Sequence, residues 1–229
     1  MISSPEQRRN LVEHLIAYAS LPYFEGSLPG NVFEQLFAFV REAKRLDTYD
    51  YIDVFDEKTK SGWQNKSTLA GTPLTWKRVK IADKASMMGF GDTQTLGDKI
   101  IDFCNENVKS SFDKYNLESV GYSRLILSGN SFSYFERILC TKDDPRVFRS
   151  SDFEWRWSTP KSSKKKEQLP ALHGFHKLSG DRWFAWHGKG ENQLHFNGEK
   201  HWIADADHTS FEIPSQKLTL NRLKELIVV

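Results

Sequence analysis

The chain has 229 residues, enough to bury a substantial core as one large domain or two small ones. Hydrophobic residues make up 38% and charged residues 27%, and the net charge of +2 does not announce a polyanion partner, so local charge has to carry any such reading. The two cysteines, Cys104 and Cys140, exclude a disulfide framework and a cysteine metal cluster, which leaves buried free thiols and a reducing cytoplasm as the expectation.

The opening MISSPEQRRNLVEH has no signal-peptide apolar region, and no uncharged apolar run approaches the ~18 residues of a membrane span. Ser4-Pro5-Glu6-Gln7 predicts a helix start, with a Ser cap, Pro in the first turn and Gln closing a capping box. Leu11, Leu15, Ile16 and Ala19 then form a helical stripe. After a loop over 22–30, Asn31 is expected to cap a second helix carrying Phe33, Leu36, Phe37 and Val40. The stretch YDYIDVFDEKTKSGWQNKST, residues 49–68, predicts a hairpin turning near Thr59, with Asp56 to Gly62 as its polar loop.

Thr72-Pro73 predicts a third helix reaching about Gly89, with Lys77, Lys80 and Lys84 on one face and Arg78 beside them. A fourth helix is expected from about Thr95 to Tyr115, followed by two strands around Ser128-Gly129-Asn130. From Asp152 the pattern predicts short strands in FEWRWS, LHGFHK, RWFAWH, NQLHFNG and KHWIADAD, with STPKSSKKKEQLP as a basic loop. The segment LTLNRLKELI predicts a closing helix. The expected class is α/β (α+β), a single domain with a helix-flanked core over about 29–140 and a β-rich part over about 150–214.

Alternation along the hairpin puts a polar group of unusual composition on one patch. Side chains on a strand point alternately to opposite faces, so Asp53 falls opposite Gln64, with Lys66 one step further along. A carboxylate, an amide oxygen and an ammonium would converge there. Asp50 is an alternative acid on the opposite face, and Glu34, three residues after Asn31, has a capping-box reading beside any ligand role.

Taken together, Glu34 in PGNVFEQLF, Asp53 and Gln64-Asn65-Lys66 resemble the PD-(D/E)xK nuclease superfamily, type II restriction endonucleases above all. In that family a helix leads into a hairpin whose first strand carries Asp and whose second carries Glu/Asp-x-Lys, with Gln replacing the acid in some branches. The resemblance spans about residues 29–85 and extends to the 120–140 strands. It implies a restriction-endonuclease-like core, a central mixed β-sheet flanked by helices. It further implies Asp53 and Gln64 as Mg²⁺ ligands, Glu34 as an auxiliary acid and Lys66 as the catalytic lysine. Gln64 departs from the commoner acid and brings no charge, which leaves the number of metal ions open.

Local basic segments agree with a polyanion substrate. Residues 73–88 carry four cations against one acid, and residues 144–166 carry seven against three. Lys77, Arg78, Lys80, Lys84, Arg156, Lys161, Lys164, Lys165 and Lys166 are therefore expected to contact DNA phosphates. A rival HNH reading takes His187, Asn192, His195, Asn197 and His201, but needs a hairpin followed by a helix where the pattern predicts continuing strands. Trp155, Trp157, Trp183 and Trp186 alternate as core residues do, and GKGENQ reads as a turn. The expectation is a Mg²⁺-dependent, sequence-specific endodeoxyribonuclease acting on double-stranded DNA as a homodimer. The alternatives are a non-catalytic nucleic-acid-binding module and a methyl-directed or structure-selective nuclease on the same core.

Overall fold

A computed structural model describes residues 1–47, 50–81, 92–159, 161–162, 167–168, 170–188, 192–204 and 206–227. Helix α1 (Pro5–Ala19) begins with the expected capping box: Gln7 N donates to Ser4 Oγ at 3.1 Å and Ser4 N donates to Gln7 Oε1 at 2.9 Å. Helix α2 (Gly30–Val40) starts at Pro29 instead of Asn31 and has no side-chain cap, so Glu34 is free of the capping-box role. Strands β1 (Lys44–Arg45), β2 (Val54–Asp56) and β3 (Ser61–Leu69) follow as an antiparallel meander. Asp56 Oδ1 shapes the hairpin loop by accepting the N–H groups of Lys58 and Thr59 at 3.0 and 3.1 Å.

Next come β4 (Leu74–Arg78), α3 (Thr93–Tyr115), β5 (Ser119–Ser128) and β6 (Ser131–Thr141). The rest comprises β7 (Phe153–Trp157), β8 (Lys161–Ser162), β9 (Glu167–Gln168), β10 (Leu172–His176), β11 (Arg182–His187), β12 (Gln193–Phe196), α4 (Glu199–Ala204), β13 (Asp207–Glu212) and α5 (Leu220–Ile227). The chain is a mixed α+β protein. Among the described residues no helix is long and apolar enough to cross a membrane.

The chain divides into two compact units. Unit 1 comprises Met1–Thr72, Ser111–Asp144 and Ala206–Val229. Its sheet runs β1-β2-β3-β5-β6-β13, antiparallel except where β3 lies parallel to β5 over nine residue pairs. A parallel pair requires a long crossover, and residues 70–118 supply it. One sheet face, with Val54, Trp63, Leu125 and Tyr134, packs on Leu11 and Leu15 of α1 and Phe33 and Phe37 of α2. Beside that core lies a buried charge network. The Arg41 guanidinium donates to Ser3 Oγ (2.7 Å), Met1 O (2.8 Å) and Asp56 Oδ2 (3.3 Å), and lies 3.8 Å from Glu136 Oε2.

Unit 2, Pro73–Ser110 and Pro145–Asp205, holds an antiparallel sheet ordered β4-β12-β11-β10-β7. Its core is aromatic: Phe148, Phe153, Trp155, Phe184, Trp186 and Phe196 are buried together with Trp76 and Trp202. Trp155 and Trp183 are thus core residues, as their alternation predicts, and both cysteines are buried free thiols.

Two elements differ from expectation. Residues 74–78 form a strand where a helix was predicted, because Leu74 and Trp76 alternate into the aromatic core and the strand pairs with β12. The predicted helix beyond residue 81 lies outside the described residues. In KHWIADAD, residues 199–204 are helical, which packs Trp202 against Trp76, Phe148 and Phe196, and strand resumes only at Asp207. In the basic segment Lys161-Ser162 pairs with Glu167-Gln168 as a short ladder.

Candidate active site

The hairpin brings Asp53 beside the β3 segment that carries Gln64 and Lys66. Val54 pairs with Trp63 and Phe55 with Gly62, and Asp53 immediately precedes this ladder. Asp53 N donates to Trp63 O at 2.8 Å, and Asp53 Oδ2 accepts the Asn65 N–H at 2.7 Å. The acid preceding the first strand is therefore fixed to the residue between Gln64 and Lys66 on the second.

Trp63 packs on Phe37 of α2, with ring centroids 5.3 Å apart, and Asn65 donates to Ser123 Oγ at 2.6 Å on the neighbouring β5. Alternation turns Gln64 and Lys66 the other way. Gln64 is only 3% exposed, and its Oε1 has no hydrogen-bond partner among the described residues. Burying an unpaired amide oxygen costs free energy, and the adjacent Asn65 Oδ1 is a second such atom at the site.

From α2, Glu34 comes within electrostatic range of Asp53 and Lys66. Arg45 Nε donates to its Oε2 at 3.3 Å, while Arg45 also pairs with Asp47 at 2.8 Å. Burial first, then the Asp53 carboxylate, push the Glu34 pKa up; Arg45 and Lys66 pull against them. Glu34, Asp53 and Lys66 therefore feel one another electrostatically. Asp50 is engaged elsewhere, accepting from Lys114 Nζ at 2.7 Å and Tyr115 OH at 2.5 Å.

Two arginines escaped the sequence reading. Arg45 sits in the two-residue β1 and had no motif to mark it. Arg124, buried on β5, donates to Lys66 O at 3.4 Å and to Thr68 Oγ1 at 2.8 Å, bracing β3 beside the site. A lone arginine inside the apolar run YSRLIL was the available signal, since buried arginines are rare without partners.

The expected DNA contacts scatter. Arg78, Lys80 and Arg156 are exposed, whereas Lys77 is half-buried and lies near the buried Cys104, whose thiol is pushed up to about 12 by burial. Lys161 opens β8, and Lys84, Lys164, Lys165 and Lys166 lie outside the described residues.

The rival histidines do gain a helix, because α4 follows the β11–β12 hairpin. His201, however, stacks on the core-facing Trp183 (5.3 Å) and pairs with Asp181, whereas His187 and His195 face each other 5.0 Å apart on the hairpin. Among the described residues no group of three or more His, Cys, Asp or Glu is arranged to hold a metal.

No family model, no curated protein and no solved structure matches this chain.

Proposed function

We propose that the chain is a Mg²⁺-dependent endodeoxyribonuclease of the PD-(D/E)xK type, a type II restriction enzyme cutting double-stranded DNA. The observation that carries the reading is the buried Gln64 Oε1, without a partner among the described residues, next to Asn65, whose N–H the Asp53 carboxylate accepts. An amide oxygen left without a donor is what a hard, oxygen-seeking cation requires. The raised pKa of Glu34 beside Asp53 agrees, since two neighbouring carboxylates favour a bound cation. The helix-then-hairpin order and the mixed sheet, with β3 parallel to β5, support a restriction-endonuclease-like core.

Asp53, Gln64 and Glu34 would hold the ion. Bound there, Mg²⁺ supplies Lewis acidity, acidifying water at neutral pH and neutralising charge on the phosphoryl oxygen. Lys66 places an ammonium where negative charge develops on the scissile phosphate. Asp53, tied to Asn65 N, keeps its carboxylate fixed without reorganisation. Arg45 holds Glu34 in place. The lysines at 161 and 164–166 add sequence-independent phosphate affinity, and a twofold homodimer in the cytoplasm would cut both strands.

The deciding experiment incubates the purified protein with plasmid DNA in Mg²⁺, in EDTA and in Ca²⁺. Discrete fragments in Mg²⁺ alone are expected. Binding to DNA without cleavage under any divalent cation would favour the non-catalytic binding module. Cleavage confined to methylated plasmid would favour the methyl-directed alternative.

A further inference from the structure

Strand alternation sorts the unit 2 sheet into an aromatic face and a polar one. Leu172, Trp186, Leu194 and Trp76 are buried on the first. On the second, cross-strand pairing aligns Arg156, His173, Ala185, His195 and Thr75 in one row, and His187, Gln193 and Arg78 in the next. Phe175 pairs with Glu154 on one side and Arg182 on the other. Among the described residues the face thus carries three arginines and three histidines against one carboxylate, Glu154.

Two of its three arginines stand at the edges, and Arg182 lies on the central strand β11. Arg78 lies on β4 and Arg156 on β7, the two outermost strands of the sheet. Five strands at about 4.8 Å spacing span roughly 19 Å, wide enough to straddle the ~12 Å major groove of B-DNA. The Arg156 guanidinium sits 3.8 Å from the Phe175 ring centroid, an arrangement that fixes the plane of its donor fork before any ligand arrives. Between the edges the face offers hydrogen-bonding groups: His195 Nε2 and Gln193 Oε1 are 3.1 Å apart, and Thr75 lies opposite His195.

We infer that this face is a docking platform for duplex DNA, with Arg78 and Arg156 on phosphates and Gln193 and His195 toward the groove. The inference rests on DNA being the substrate, and it moves recognition from the loops onto a sheet face. An acidic protein partner fits less well: protein interfaces centre on large apolar anchors, whereas this face surrounds the small Ala185 with histidines, Gln193 and arginines, a polar and basic composition like that of DNA-binding surfaces.

The test measures fluorescence anisotropy of a labelled 30-bp duplex in Ca²⁺ over a series of NaCl concentrations. Wild type, Arg78→Ala/Arg156→Ala and Gln193→Ala/His195→Ala are compared, with thermal melting as the fold check. Lys142→Ala, which removes an exposed cation outside this face and outside the hairpin site, serves as the binding control. The arginine pair should weaken binding at least tenfold and reduce the log–log salt slope by about 1.8, two contacts at about 0.9 each. The Gln193/His195 pair should weaken binding without moving the slope. An unchanged affinity and slope in the arginine variant, with wild type binding and cutting normally, would overturn the platform and leave the nuclease reading intact. Weakened binding in a protein that never cuts DNA would overturn the nuclease reading alone. Wild-type binding to a poly-glutamate peptide as tight as to the duplex would overturn the platform in favour of an acidic protein partner.

Discussion

The carboxylate of Asp53 reaches across the hairpin to the backbone N–H of Asn65, 2.7 Å away. That bond separates what the acid does for the fold from what it does for a cation, because an amide replaces one function and not the other. Asp53→Asn keeps an acceptor for Asn65 N and should melt near wild type, yet lose Mg²⁺-dependent cleavage entirely. Asp53→Ala removes the acceptor as well and should cost about 1–3 kcal/mol of stability. Plasmid cleavage and denaturant unfolding of the two variants provide the check; an active Asp53→Asn protein would refute the ligand role.

Gln64 should trade stability for activity. Its unpartnered Oε1 is a buried polar atom that contributes nothing to the fold as it stands. Gln64→Leu should therefore be neutral or stabilising by about 1 kcal/mol while abolishing cleavage. Gln64→Glu should destabilise the metal-free protein by burying a charge, and shift the Mg²⁺ dependence of cleavage to lower concentration. Superimposable Mg²⁺ curves for all three proteins would mean that the amide never meets the ion.

Lys66→Ala should lower the single-turnover cleavage rate by roughly 10²–10³. Lys66→Arg should fare almost as badly, since a planar guanidinium does not replace a compact ammonium. Duplex binding in Ca²⁺ should survive both changes. Near-normal cleavage by folded Lys66→Ala would reduce this lysine to a surface residue.

Glu34 predicts a pH-dependent response to divalent cations. Its pKa is raised, mainly by burial and secondarily by Asp53, so the native state holds this proton more tightly than the unfolded chain does. Stability from the protonated form is complete below the unfolded value of 4.5 and is lost as pH climbs through the raised native one. On the proposed function, a cation bound between Glu34 and Asp53 would restore it. The increase in melting temperature on adding Ca²⁺ should grow as pH rises through this range, and Glu34→Gln should flatten that growth. An equal Ca²⁺ effect at every pH in both proteins would contradict it.

Arg41 compensates two buried carboxylates, Asp56 and Glu136, and also tethers Ser3 and Met1. Arg41→Met should cost about 3–5 kcal/mol, because it leaves buried charge unpaired. The triple variant Arg41→Met/Asp56→Asn/Glu136→Gln, which removes the buried charge but keeps the acceptors for Lys58 N, Thr59 N and Ser3 N, should cost less. Urea midpoints of the single and triple variants distinguish the two results.

The hairpin was legible because period-two alternation and a polar turn fix register, and the ladder from Val54–Trp63 to Asp56–Ser61 follows that register. Helix α1 was equally legible from its capping box. Residues 74–78 misled because Thr-Pro reads as a helix start, and only the tertiary packing of Trp76 on Phe148 and Phe196 reveals the strand. Residues 199–204 failed for the same reason: Trp202 is helical because of where its ring packs. Arg45 was invisible because ion pairing to Glu34 spans 11 positions and leaves no periodic trace. The unpartnered state of Gln64 is a property of three-dimensional burial, which spacing does not encode.

The order of strands in unit 1 also bears on synthesis. Strand β6, with Phe132, Tyr134, Phe135 and Ile138, receives its second neighbour only from β13, and residues 142–206 lie between them. At the ~5–20 residues per second of translation, β6 stands as a bare, aromatic edge for roughly 3–13 s. An exposed edge of that composition invites pairing with other chains. The finished sheet ends instead on Lys44–Arg45 at one side and on β13, with Asp207 and Glu212 at its ends, at the other. Chains truncated before Asp207 should therefore aggregate through β6, and a nascent chain would depend on a chaperone or on early folding of residues 145–205 to bridge that interval.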